Sequence, residues 1–582
     1  MRAHHIMIPA LALAAAALPH QGCTSGPSPA GHADLILRGG VVVTMEHPGE
    51  RASAVAVRAD RIIYVGDDAG ASELAGTATR VVDLEGRAVI PGLIDAHGHV
   101  AALGFALREI DLVGTSSAGE VAMKIREASA ADPGDGWLVG RGWDQNDWTE
   151  RAFPDRHILD EAAPGRPVVL ERIDGHAIWV SSRALELAGV TAATVDPPGG
   201  KIHREPGGGP TGILVDNAED LVHSSIPEPG PADLKAAILR GLERCLDSGL
   251  TAVHDAGISP GEADIYRELA GSGELPIRVH AMLGGNSRFL DDYFAHPPES
   301  GIGGGFLNLR AIKLGIDGAL GSRGAALLED YSDDPGNRGL ITREPAEIRA
   351  IARRATEAGY QVCVHAIGDR GNRLALDALE GALREGAPGD HRFRIEHAQI
   401  LDPEDIPRFR RMGIIPSMQA THCTSDMPWA EERLGAERLA GAYAWRRLLE
   451  TGVVIPNGSD FPVELENPFP GLYAAITRMD AEGLPEGGWR PGERMRPEEA
   501  LRSFTMDAAW AGFMEKETGS IVTGKKADLV ILPANPLEVE PRDLLSMKPD
   551  AVIVDGRVVR SGAGLGERLP AASRGRRQAA GG

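Results

Sequence analysis

Cysteine is scarce in this sequence, with four in 582 residues. Cys23, Cys245, Cys363 and Cys423 stand far apart, so the chain carries neither a disulfide framework nor a Cys-x-x-Cys metal knot. Cys363 lies in an apolar run, which favours a buried free thiol. Positive charge is also short: 60 Lys and Arg face 83 Asp and Glu, a formal net charge of −23. That balance argues against nucleic-acid binding, which depends on neutralising phosphates, and disfavours an anionic membrane surface. Aromatic residues make up only 4%. Long apolar runs are missing as well. The nearest, Ile6 to Leu18, is too short for a comfortable membrane span.

That run has a meaning of its own. Arg2, the apolar stretch and Cys23 together have the shape of a signal peptide over residues 1–23. Cys23 after Gly22 suggests lipoprotein processing, although His20 and Gln21 stand where such sites usually carry small or aliphatic residues. The expectation is an exported protein, periplasmic or extracellular, with a lipid anchor at Cys23 as one alternative. Residues 24–32 read as a flexible tether.

What is present is 43% hydrophobic residues and 73 glycines, a globular composition rich in tight turns. From Ala33 to Val89, "DLILRGGVVVT", "AVAVRADRIIYVG" and "TRVVDLEGRAVIPG" alternate apolar and polar residues around Gly turns. Similar text returns as "KKADLVILPAN" and "DAVIVDGRVV" near the end. The two half-sets predict one composite β-sandwich domain from residues 33–91 and 517–562, with a disordered basic tail over 563–582. Between them, eight short apolar strands alternate with helical text. They are "VIPGLIDAHGH", "LTAVHDAG", "IRVHAML", "LRAIKLGIDG", "QVCVHAIGD", "FRIEHAQ", "GIIPSMQATH" and "VVIPNGSDFP". Eight such units predict an α/β fold, a (β/α)₈ TIM-type barrel over residues 92–516. The interval 103–229 is too long for one crossover and reads as an insertion after the first strand.

Polar residues cluster at one place in this pattern. His97 and His99 close the first strand, Lys313 lies on the fourth, His365 ends the fifth, His397 the sixth and Asp460 the eighth. Active sites of such barrels lie at the C-terminal ends of the strands. His-x-His on a strand puts both imidazoles on one side. Imidazole and carboxylate donors suit zinc and similar divalent ions. Lys313 is the odd member, because an ammonium repels a metal. Two readings stand: a carbamate (N6-carboxylysine) whose oxygens bridge two ions, or an ion pair with Asp317 or Asp460. A third motif fails: "GSIVTGKK" has the spacing of a phosphate loop, but Lys526 replaces the Mg²⁺-binding Ser or Thr.

"PGLIDAHGH", "KLGIDGALGSRGA", "VHAIGD", "IEHAQ", "MQATHCTSDMPWA" and "NGSDFPV" together resemble the amidohydrolase superfamily. The resemblance is to amidohydrolase family 3, the group that includes N-substituted formamide deformylases, and it extends from about Ala33 to Val559. It implies metal ligation by His97, His99, His365, His397 and Asp460, and a bridging carboxylated Lys313. Members carry one or two ions, so either number is compatible. The implied mechanism is attack by water whose pKa the metal lowers from about 15.7 to about 7. Asp460 would serve as general base and then acid.

"GRGWDQNDW" and "RIDGHAIWVSS" resemble the family's insertion motifs. They offer Trp143, Asp144, Arg172 and His176 as pocket residues, with inter-domain packing as the alternative. Asp317, Arg323, Gln419 and His422 are candidates for the pocket wall or its support, and His254 and Asp255 for structure. Trp148 and Trp179 offer apolar surface for a hydrophobic substituent on nitrogen. The expected activity is hydrolysis of a non-peptide C–N bond in a small amide-type molecule, with no nucleic-acid partner and with a homo-oligomer compatible. One alternative keeps the metal site for an ester, lactone or phosphotriester. Another is a metal-bearing binding protein without catalysis.

Overall fold

In the computed structural model, which describes residues 31–562, 564–569 and 571, eight short parallel strands form one sheet in chain order. They are β1 (Leu93–Gly98), β2 (Leu250–Ile258), β3 (Arg278–Gly284), β4 (Leu307–Gly315), β5 (Gln361–Ala366), β6 (Arg394–His397), β7 (Ile415–Gln419) and β8 (Asn457–Gly458). A parallel bridge between Gly98 and Phe461 returns the last strand to the first, so the sheet is a nearly closed barrel. The leader with Cys23, the tether before Gly31 and most of the tail from residue 563 lie outside the described residues.

These segments become strands because they are short apolar runs that helices cover from outside. The helix Pro231–Asp247 turns Ile238, Leu242, Cys245 and Leu246 inward. The helix Pro345–Ala358 does the same with Ile348, Ile351 and Ala355. The barrel interior is unusual in being polar near its base. His254, His280, Gln361 and Arg394 are all at most 2% exposed. Arg394 Nη1 lies 2.9 Å from His254 Nδ1, and His280 Nε2 lies 3.2 Å from Gln361 Oε1. Above them sits a layer of small or flexible residues, Ala256, Met282, Ala311 and Cys363.

Two further sheets join both ends of the chain. A six-stranded sheet orders Arg557–Ser561, Ala551–Val554, Leu529–Leu532, Ala88–Pro91, Val41–Val43 and Arg51–Ala52. A four-stranded sheet holds Arg61–Gly66, Ala54–Arg58, Leu35–Arg38 and Arg80–Asp83. Leu37, Val55, Val89, Leu529 and Ile553 share one core between them. The segment expected as a single first strand is therefore two: Ala88–Pro91 belongs to this terminal sheet and only Leu93–Gly98 to the barrel. The two lysines of "GSIVTGKK" are used up in structure: Lys525 Nζ bonds Ser520 Oγ at 2.6 Å, and Lys526 pairs with Asp60 and Asp555.

The interval after β1 forms its own mixed sheet of Gly200–Arg204, Pro210–Asp216, Ala177–Val180, Val168–Arg172, Leu138–Trp143 and Ile110–Asp111. Trp143, Trp148 and Trp179 fill its core. Among the described residues three free cysteines, Cys245, Cys363 and Cys423, are buried.

Candidate metal centre

Alternation along β1 directs Asp95 and His97 inward, and His99 follows just past the strand end. Asp95 is a clasp between the first and last strands. It accepts hydrogen bonds from His97 N at 3.0 Å, Ser459 N at 3.0 Å and Ser459 Oγ at 2.7 Å. The clasp needs a glycine at 458: a Cβ there would lie 2.5 Å from Asp95 Oδ1 and 2.6 Å from His97 N. Asp460 then donates its backbone N–H to His97 O at 2.7 Å, with φ +59°. His397, at the end of β6, also takes a left-handed backbone, φ +74°. Arg394 and Glu396 on that strand point into the barrel, and the left-handed turn brings His397 beside them. Strained backbone of this kind clusters at functional sites.

The result is a buried triad. Ligand atoms of His97, His397 and Asp460 all lie within 4.8 Å of one another. Each imidazole is held from behind. His97 Nδ1 lies 2.6 Å from Glu396 Oε2, and His397 Nδ1 lies 2.7 Å from Gln419 Oε1. His99 Nδ1 lies 2.9 Å from Ala256 O. These partners fix the tautomers and leave each Nε2 facing the centre. His99 Nε2 is 3.2 Å and His97 Nε2 3.5 Å from Asp460 Oδ1. Asp460 Oδ1, His365 Nε2 and His422 Nε2 are buried without a hydrogen-bond partner.

Charge states fit a cation. Burial, with repulsion from Lys313, pushes His97 down to about 4. Burial holds His365 and His397 well below the ordinary imidazole value. Burial alone would raise Asp460, but the close approach of His99 Nε2 and of the surrounding imidazoles holds it well below the usual carboxylate range. Neutral imidazoles around an ionised carboxylate, with orphaned donor atoms, are what a divalent metal takes.

Lys313 sits at the edge of the triad, its Nζ 3.4 Å from His97 Nε2. Among the described residues it has no carboxylate within 4.0 Å, so the ion pair with Asp317 or Asp460 is not formed. Burial lowers its ammonium below the ordinary value. Asp317 serves another end: it accepts backbone N–H bonds from Ala326, Ile367 and Gly368. His365 sets its ring edge-on to that of His397, 4.6 Å away, and tilted to that of His176, 5.0 Å away.

The triad opens into a cavity of about 1270 Å³ whose lining includes His99, Asp144, Arg172, His176, Lys313, Asp317, His365, His397, His422 and Asp460. Two residues expected at the pocket do not reach it, and Gln419 takes the supporting place that was its alternative. Trp143 is fully buried between Trp148, Phe153 and Trp179, its Nε1 donating to Leu170 O at 2.9 Å. Arg323 turns away to pair with Asp333 at 2.8 Å. Gln419 stands behind His397. Trp148 and Trp179 belong to the same insertion core and offer no surface to a ligand; Leu465, Met479 and Leu545 supply apolar lining instead. His254 and Asp255 are structural, the latter bonding Val100 N and Tyr266 Oη. The sequence reading missed Asp95 and Glu396. Their signal is a carboxylate two residues from a second polar side chain on a barrel strand: Asp95 with His97, and Glu396 with Arg394.

The family described as the amidohydrolase family matches residues 80–560. The protein LONG AFTER FAR-RED 3 of Arabidopsis thaliana is 34% identical over 88% of this chain and 89% of its own length. N-substituted formamide deformylase of Arthrobacter pascens is 29% identical over 90% of this chain and 97% of its own. The crystal structure of an uncharacterized metal-dependent hydrolase from Pyrococcus horikoshii OT3 superposes with a TM-score of 0.71 at 27% identity, over 87% of this chain and 99% of that one.

Proposed function

This chain belongs to the amidohydrolase family, and on that premise we propose that it cleaves a non-peptide C–N bond in a small amide-type molecule. His97, His397 and Asp460 form the core of its metal site. The observation that carries this reading is the buried convergence of those three side chains, with Asp460 Oδ1 left unbonded at the mouth of the cavity. The relative from Arthrobacter pascens, named as a deformylase of N-substituted formamides, supports an amide-type substrate. The leader read in residues 1–23 supports an exported enzyme.

His97, His397 and Asp460 would hold a divalent ion, zinc by the nitrogen and oxygen character of the donors, and that ion would supply Lewis-acid chemistry toward a carbonyl and a water near neutral pH. Asp460, held ionised, accepts the proton of the attacking water on its carboxylate and returns it to the leaving nitrogen, giving a carboxylic acid and an amine. His422 Nε2, 3.8 Å from Asp460 Oδ2, is placed to hydrogen-bond the substrate oxygen. His99 and His365 flank the triad as further ligands. Lys313 joins them as the carbamate, a role favoured by its lack of a carboxylate partner.

A panel of N-substituted formamides, longer N-acyl amines and esters tests the reading. Amide hydrolysis that stops on chelation and returns with zinc is the expected result. Turnover confined to esters, or amide turnover indifferent to chelation, contradicts it.

A further inference from the structure

Beyond the metal centre the cavity extends to the insertion's sheet, where most charged side chains pair off, Asp147 stays exposed, and one carboxylate is both buried and unpaired. Arg172 lies between Asp144 and Asp174 and also donates to Gln145 Oε1 at 2.8 Å. His176 bonds Asp216 at 2.7 Å. Arg141 donates to the carbonyls of Pro462 and Ile173 and lies 3.8 Å from Glu171. Glu219 has no such partner. It lines the same cavity, is only 8% exposed, and its Oε1 is buried without a hydrogen bond or ion pair among the described residues.

The groups that act on Glu219 are themselves acidic. Burial first, then Glu171, Asp216 and Asp174, push its carboxyl well above the ordinary value. A buried, unpaired carboxylate among acids is costly, and a cation arriving from the cavity would relieve that cost. We propose that Glu219, which lines the same cavity as Glu171 and Asp174, forms a subsite for a cationic group of the substrate, a primary ammonium or a guanidinium. The subsite lies on the insertion side of the cavity, past His176, whose ring is 5.0 Å from that of His365. The inference rests on this cavity being the substrate pocket of the proposed hydrolase. It narrows the substrate class to amides bearing a positive charge away from the bond that is cut.

The test is a calorimetric titration of the full chain with n-hexylammonium chloride, and with 1-hexanol as the neutral control, in wild type and in Glu219→Gln. The glutamine keeps the shape and removes only an unpaired charge. Wild type should bind the ammonium at least about tenfold more tightly than the alcohol, and Glu219→Gln should lose that preference, as expected for a charge-assisted hydrogen bond. Equal binding of the two probes overturns the inference. So does an ammonium preference that survives in Glu219→Gln, which would put the recognising charge elsewhere in the cavity, as on Glu464, a lining carboxylate that accepts from Ser425 Oγ at 2.7 Å. Metal content and amide hydrolysis on the same preparation separate the two readings. Hydrolysis without ammonium preference overturns the subsite alone, and ammonium capture through Glu219 by a chain that hydrolyses nothing overturns the hydrolase alone.

Discussion

His97 Nδ1 donates to Glu396 Oε2 at 2.6 Å, and both side chains are fully buried. Glu396 is held in turn by Arg394, 2.7 Å from Oε1 and 2.9 Å from Oε2. A carboxylate behind an imidazole fixes the tautomer and raises the basicity of the nitrogen that faces the metal. Glu396→Gln keeps the volume and one acceptor oxygen. It should weaken metal affinity by about 10–100-fold, the range found when such supporting partners are lost. Competition with a chelator measures this. Unchanged affinity in a folded variant would remove Glu396 from the site.

Lys313 carries the second prediction. Its Nζ lies 3.4 Å from His97 Nε2, where an ammonium would oppose a cation. Protein equilibrated with ¹³C-bicarbonate should show one carbamate resonance, absent in Lys313→Gln, and that variant should lose at least about tenfold in metal affinity. A wild-type spectrum without the resonance would contradict the carbamate.

Stability should depend on pH through Asp507, which does not line the cavity of the triad. Burial pushes its carboxyl from 3.8 up to about 7, against the pull of Arg502 at 2.8 Å. A carboxyl raised in the folded state holds a proton that the unfolded chain has already released. Its stabilising contribution is therefore full below the ordinary value, is lost as pH rises toward 7, and is flat above. Between about pH 5 and about pH 8 wild type should lose more stability than Asp507→Asn, by about 1 kcal/mol or more. Chemical unfolding at both pH values checks this, and equal losses would contradict it.

Much of this was legible in the sequence, for identifiable reasons. Eight apolar runs with helical text between them become eight parallel strands in the same order, because such runs can be covered only by helices on the outside. The boundary at Gly92 was hidden: the run Ala88–Ile94 is apolar throughout, yet it crosses from one sheet to another. Trp143, Trp148 and Trp179 were misplaced because a tryptophan beside polar loop text reads equally as pocket wall or as core. Here a small inserted sheet needed them as core. Glu396 was overlooked beside His397, although Arg394 and Glu396 two residues apart on an interior strand mark a buried pair. Glu219 had no sequence signal, since its isolation arises from which neighbours pair with one another.

The most direct test of the metal centre is the metal content of purified wild type, His97→Ala and His397→Ala, each shown to be folded by its melting transition. Wild type should hold at least one divalent ion per chain, and each variant about a tenth of that or less, with hydrolysis falling in step. Variants that hold as much metal as wild type would place the ion elsewhere and contradict the site drawn here.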